Sequence, residues 1–166
     1  VFKELYKKAP LWKLYLVGQA KKTHQKYTRH LKKISRGYAI KIIENLPNDK
    51  LRKIYSKASI YWHATGFGED EIVSPEKMEH FGISTVEAQA AGAVPLVIEK
   101  GGQKEIVTND KNGYFWNTKT ELFEKTMLLI NDHKKMTEMS NQAIKNSKRF
   151  SKENFINSYE KIIYGK

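Results

Sequence analysis

The sequence predicts an α/β fold of the doubly wound kind, a parallel sheet with helices on both faces. Strand-length runs of Leu, Ile, Val, Tyr and Trp alternate along the chain with longer segments of helical period. Strands separated by helices join through right-handed crossovers, which makes the sheet parallel and covers both of its faces. Glycine, proline and polar residues cluster just after the strand-like runs, where sheets of this kind bind their ligands. A chain of 166 residues, 40% of them hydrophobic, is long enough to bury one sizeable core, so a single domain over residues 1–166 is expected.

Each element has its own justification. Val1–Lys8 places Phe2, Leu5 and Tyr6 on one helical stripe, and Pro10 ends it. Leu11–Val17 reads as a strand closed by Gly18. Lys21–Ser35 is a basic, solvent-facing helix with apolar residues only at Tyr27, Leu31 and Ile34. Tyr38–Ile43 is the second strand, and Pro47 with Asp49 opens a helix through Lys57. Ala58–His63 is the third strand. The segment Thr65–Met78 reads as a long loop, with Gly66, Gly68, Pro75 and the acids Glu69, Asp70, Glu71 and Glu76. Ser84–Ala91 follows as a helix, Ala93–Ile98 as a strand and Gly101–Gly102 as a tight turn. Gln103–Thr108 is a short helix, and Asn112–Gly113 turns into the short strand Tyr114–Trp116. Helices over Lys119–Asn131, Lys134–Lys148 and Ser151–Tyr164 complete a Rossmann-like pattern.

Composition removes several classes of protein. Recurrent apolar residues exclude a disordered chain, and no run approaches the roughly 18 apolar residues that span a bilayer. The opening VFKELYKKAP has no apolar signal core, so a cytoplasmic location is expected. The absence of cysteine excludes disulfides, thiolate metal sites and a cysteine nucleophile. A net charge of +12 points to an anionic partner: nucleic acid, an acidic lipid surface or a phosphorylated small molecule. The basic residues are 26 Lys and only 4 Arg, and Arg is the side chain that forks onto phosphate and guanine. A lysine-biased composition therefore accounts for the charge as well as a dedicated patch does.

The most informative stretch is Glu79–Pro95, EHFGISTVEAQAAGAVP. Gly82 permits an unusual dihedral and close backbone approach just before a helix. The amides of Gly82, Ile83, Ser84 and Thr85 at that helix start are expected to face an anion, with the hydroxyls of Ser84 and Thr85 as added donors. Glu87, one turn inside, suits the paired hydroxyls of a ribose or sugar, and Glu79 can hold a second polyol. Two readings stand for Ser84–Thr85–Val86–Glu87, because the same residues spell a capping box in which Glu87 only satisfies a backbone amide.

Two glutamates eight positions apart around Phe81–Gly82, then Glu-Ala-x-Ala-x-Gly-x-x-Pro, then Gly-Gly-x-x-Glu-Ile-Val from Gly101, together resemble the donor-binding half of family 4 glycosyltransferases. The resemblance covers about Leu11 to Tyr164 and is densest over Glu79–Gly113. It implies a GT-B fold and retaining transfer of a hexose from a nucleotide-sugar to a glycan or lipid-linked acceptor. It also implies roles. Glu87 would bind the donor ribose. Glu79 would contact the transferred sugar or stabilise charge at its anomeric carbon, and is the expected catalytic residue. The backbone around His80, Phe81, Gly82, Ile83 and Ser84, with the Ser84 side chain, would hold the diphosphate. The base would pack near Asn45 and Leu46 after the second strand, with Gly18 after the first. No metal or cofactor is implied beyond the substrate itself, a UDP-sugar or GDP-sugar. The His80–Ile83 spelling is similar to mannosyltransferases that build lipid-linked glycans, which favours GDP.

In that family an Arg and a Lys after the domain's first strand clamp the diphosphate, and an N-terminal domain carries the acceptor. On the resemblance both lie before Val1, so the chain is expected to bind donor without turnover, and residues 151–166 to form a helix returning toward that other domain. His24 and His30, six apart, do not share a helical face, so they suggest no metal site. Lys21–Lys33 interleaves Tyr27 with basic residues as a nucleic-acid patch does, but a solvated helix face is the favoured reading, with peripheral contact with an anionic membrane as a middle option. The competing class is a non-enzymatic basic module that binds nucleic acid or anionic membrane.

Overall fold

The computed structural model describes residues 1–165, with Lys22 through its main chain only. The architecture is α/β, with parallel sheets and helices alternating along the chain. The chain divides into two compact units, Val1–Lys53 and Ile54–Lys166.

In the first unit, α1 (Phe2–Lys8) buries Phe2 and Leu5. Strands β1 (Leu14–Gly18) and β2 (Ile40–Glu44) pair in parallel from Leu14↔Ile40 to Gly18↔Glu44. Helix α2 (Gln25–Ile34) crosses between them and buries no residue, as its basic sequence requires. It is tied to β2 by the ion pair of Lys32 with Glu44. The first strand begins later than Leu11, whose side chain is exposed. Helix α3 (Asn48–Tyr55) follows β2.

The second unit holds a three-stranded parallel sheet in the order β3 (Ile60–Trp62), β4 (Val94–Ile98), β5 (Tyr114–Trp116). All five residues of central β4 are buried, which is why VPLVI reads as an unbroken apolar run. A proline inside a central strand normally argues against that assignment. Here Val94 N–H donates to Ser59 O on the β3 side at 2.9 Å, so the next residue, Pro95, turns its nitrogen toward β5. The β5 ladder starts only at Leu96↔Tyr114, so no donor is needed there.

Helix α4 (Ile83–Ala90) buries Thr85, Ala88 and Gln89. Its small residues bring it against α7 (His133–Ser147) as well as β4. Ser140 Oγ donates to Gly92 O at 2.6 Å and Asn146 Nδ2 to Gln89 Oε1 at 3.0 Å. The short α5 (Gln103–Ile106) and α6 (Lys119–Asn131) complete the layers. Asn112 staples the turn before β5, accepting from Thr108 N–H at 2.7 Å and donating to Ile106 O at 3.2 Å. The terminal α8 (Lys152–Tyr164) buries nothing and exposes Phe155, Tyr159 and Ile162. Among the described residues, no helix is long and apolar enough to cross a membrane.

Leu129 of α6 is fully buried. Its replacement by alanine is expected to cost about 2–5 kcal/mol of stability, read as a lower urea midpoint with an unchanged slope.

Candidate functional site

The site lies at the carboxyl ends of β3 and β4, where the chain runs from Met78 into α4. Gly82 caps α4 with φ 99°, a left-handed conformation that costs glycine nothing. No side chain caps this helix, so the capping-box reading of Ser84 and Glu87 is not what the chain forms. The helix starts one residue earlier, at Ile83, which moves Ser84 inside the first turn. Of the four amides expected to be free, Thr85 is not: it donates to Gly82 O at 2.9 Å. Among the described residues, the amides of Gly82, Ile83 and Ser84 have no partner. They form an open, partially positive helix end.

The loop ahead of the helix is fixed by the glycine turn. Gly102 N–H donates to Glu79 O at 2.8 Å. A Cβ on Gly101 would collide with that carbonyl, and one on Gly102 with the carbonyl of His80, so the turn must be Gly-Gly. Phe81 packs edge-on against Phe150 at 5.5 Å and stays partly exposed, as does Ile83, while the His80 side chain is exposed.

Around this corner stand three polar groups. Tyr61 O–H donates to Ser84 Oγ at 2.8 Å, leaving the serine's own hydrogen for another partner. Glu87 is exposed, and it lies near enough to Tyr55 and Tyr61 to add to the effect of burial in pushing both phenols up. Glu79 is half-buried, its Oε2 3.0 Å from Nε2 of the buried His63. Burial pushes the His63 imidazole down, against the pull of Glu79.

The loop Thr65–Met78 is strapped to the same glycine turn. Glu71 accepts from Gly101 N–H at 2.8 Å and from Lys104 at 3.0 Å, and these hold its carboxyl below the usual range. Lys100 donates to the carbonyls of Gly66 and Glu69, and Lys77 pairs with Glu69 at 2.8 Å. A cavity of about 440 Å³ opens beside it, lined by Phe67, Lys100 and Asn117 among others.

The structure thus gathers Glu79, His80, Phe81, Gly82, Ile83, Ser84 and Glu87 at one corner. Gly18, Asn45 and Leu46 belong to the first unit. There the Asn45 side chain is spent on Ala20, accepting from its N–H at 3.0 Å, and Asn45 N–H donates to Gly18 O at 2.9 Å. A Cβ on Gly18 would meet nothing within 4 Å. Sequence reasoning did not assign His63, Tyr61 or Gln103. Their signal was positional, since His63 follows β3 directly and Gln103 follows the glycine pair.

Residues 1–149 match the family profile of the group 1 glycosyl transferases. A GDP-Man:Man(3)GlcNAc(2)-PP-Dol alpha-1,2-mannosyltransferase of Dictyostelium discoideum is 31% identical over 157 residues, 91% of this chain and 29% of that protein. A trehalose synthase of Thermococcus litoralis is 27% identical over 162 residues, 94% of this chain and 36% of its own length. The chain therefore spans about a third of the curated relatives it matches. Among solved structures, Anabaena HepE in complex with UDP superposes with a TM-score of 0.76 at 21% identity, covering 95% of this chain and 42% of that one. The C-terminal domain of the Francisella tularensis protein LpcC, of the glycosyl transferase group 1 family, superposes with 0.69 at 21% identity, covering 85% and 70%. These two show the fold, one half of a GT-B architecture.

Two outcomes follow from the site's packing. A Cβ on Gly82 would come within 2.9 Å of Ile106 Cδ1 and 3.0 Å of Gln103 Nε2. Gly82→Ala is therefore expected to cost about 1–3 kcal/mol in chemical denaturation, strain at positive φ included. The depressed His63 imidazole makes the unfolded chain take up its proton first. Stability is then present above about pH 6.5, the ordinary histidine value, and falls as the pH drops through it. Melting curves from pH 8 to 5 should show that fall, and His63→Gln should flatten it.

Proposed function

The chain belongs to the group 1 glycosyl transferases, and we propose that it is the nucleotide-sugar half of a retaining, metal-independent hexosyl transferase. The acceptor in this reading is a glycan or a lipid-linked glycan. The observation that carries it is the α4 corner: three unpaired amides at a helix end, with Glu87 one turn inside and Glu79 just before. A helix end with free amides stabilises a diphosphate, and an exposed carboxylate accepts from the two hydroxyls of a ribose. In this reading Glu79 meets the transferred sugar, and Ser84, whose oxygen accepts from Tyr61, donates its own hydrogen to a phosphate oxygen.

The reaction breaks the bond between the anomeric carbon and the diphosphate oxygen. The acceptor hydroxyl oxygen forms the new bond on the same face, and its proton passes to the departing diphosphate. What this chain supplies is electrostatic: amides for the charge that develops on the diphosphate, and a carboxylate for the cation-like sugar. The acceptor groups belong to the rest of the protein, and the exposed apolar face of α8 is read as the surface returning to it. The unburied basic helix α2 supports peripheral contact with an anionic membrane at the cytoplasmic face. The name of the Dictyostelium relative gives GDP-Man and the Anabaena protein was solved with UDP, so both bases belong in the test.

Thermal shift and calorimetry with UDP, GDP, UDP-glucose and GDP-mannose are expected to pick out one base. Glu87→Ala should weaken that nucleotide by about 1.5–3 kcal/mol, roughly tenfold to hundredfold, by loss of hydrogen bonds to a charged acceptor. Unchanged affinity would remove the ribose assignment.

A further inference from the structure

Glu79 is not free to choose its direction. Its Oε2 meets Nε2 of His63 at 3.0 Å, and on the other side of the ring Nδ1 lies 3.3 Å from Nε2 of Gln103. His63 and Gln103 are both buried. An ionised carboxylate only accepts hydrogen bonds, so the His63 nitrogen facing it carries the hydrogen. A neutral ring then offers Nδ1 as an acceptor, and the amide NH₂ of Gln103 fills that place. Each contact fixes the polarity of the next.

We propose that His63, locked in its Nε2–H tautomer by Gln103, is a positioning residue that holds the Glu79 carboxylate for the transferred sugar of the donor. The inference rests on the donor-binding reading above and extends it to two residues outside the family motif quoted from the sequence.

The surroundings support this assignment. Gln103 opens α5 directly after the glycine turn, whose Gly102 amide holds the Glu79 carbonyl. Main chain and side chain of the same glutamate are therefore held from one place. The space Gln103 uses exists because residue 82 has no side chain toward it. Gln103 Oε1 is buried and has no partner among the described residues. An amide that leaves its own oxygen unpaired while its nitrogen meets a ring is oriented by that ring, not by its acceptor needs. With Oε2 occupied by His63, the glutamate's other oxygen remains for a sugar hydroxyl or the anomeric centre. The side chain is ordered before the donor arrives, which lowers the cost of reaching a productive geometry.

The test separates sugar from nucleotide. The chain is titrated calorimetrically with UDP, UDP-glucose, GDP and GDP-mannose, as wild type, His63→Ala and His63→Gln. His63→Ala is expected to weaken the nucleotide-sugar about tenfold and leave the matching diphosphate within about twofold. His63→Gln, whose amide can still donate to Glu79, should recover most of the loss. Equal losses on sugar-nucleotide and diphosphate, or no loss on either, would overturn the proposal. A second arm is independent of ligand: ¹⁵N–¹H spectra of the imidazole should show the Nε2–H tautomer near pH 7.5. Gln103→Glu, which places a carboxylate at Nδ1, should drive the ring to the doubly protonated form. An Nδ1–H tautomer in the wild type would equally sink the idea. If the wild type binds none of the four nucleotides, the donor reading falls, while the imidazole spectrum still decides whether His63 and Gln103 hold Glu79 as described.

Discussion

The contact between the Gly102 amide and the Glu79 carbonyl, 2.8 Å long, sets the geometry of the whole site. It joins the turn after the central strand to the loop before α4, and it closes only because neither glycine carries a Cβ. With that loop pinned, Gly82 turns the chain left-handed and the first amides of α4 are left without carbonyls to meet. Both acids then stand at the same corner as the open helix end. The corner is a consequence of backbone packing first and of side-chain chemistry second.

The lysines nearest the glycine turn are committed to the acidic loop: Lys104 to Glu71, Lys77 to Glu69, and Lys100 to two main-chain carbonyls. What the corner offers an anion is the helix end, whose partial charge comes from amides and does not depend on lysine count. Such a helix end differs physically from a polyelectrolyte surface, whose pull depends on its number of fixed charges. That difference is why composition alone left nucleic acid, lipid and phosphorylated metabolite equally open.

Much of the fold was legible. The Ala93–Ile98 run reads as a strand, and the strands and helices fall in the predicted order. Boundaries were less so: Leu11 reads as strand by type, yet β1 starts at Leu14 because nothing covers Leu11. The strands are parallel as expected, but residue type does not say which of them exchange hydrogen bonds: β1 pairs with β2, and β4 lies between β3 and β5. At the site, the glycine pair and the two glutamates were visible as a pattern. The first turn of α4 was not, because Ser84 followed by Glu87 is written the same way whether it caps a helix or sits inside one.

The sequence by itself determined which elements exist, that they alternate into a parallel α/β architecture, and that Glu79, Gly82, Glu87 and the Gly101–Gly102 turn belong to one motif. Only the tertiary structure decided what each acid faces. His63 meets Glu79 across 16 positions and Gln103 meets His63 across 40. Periodicity and turn chemistry act over a few residues, whereas contacts of that span depend on how the strand ends and the glycine turn pack together. Two identical glutamates thus acquire different surroundings, one exposed beside two phenols and one held by a buried imidazole.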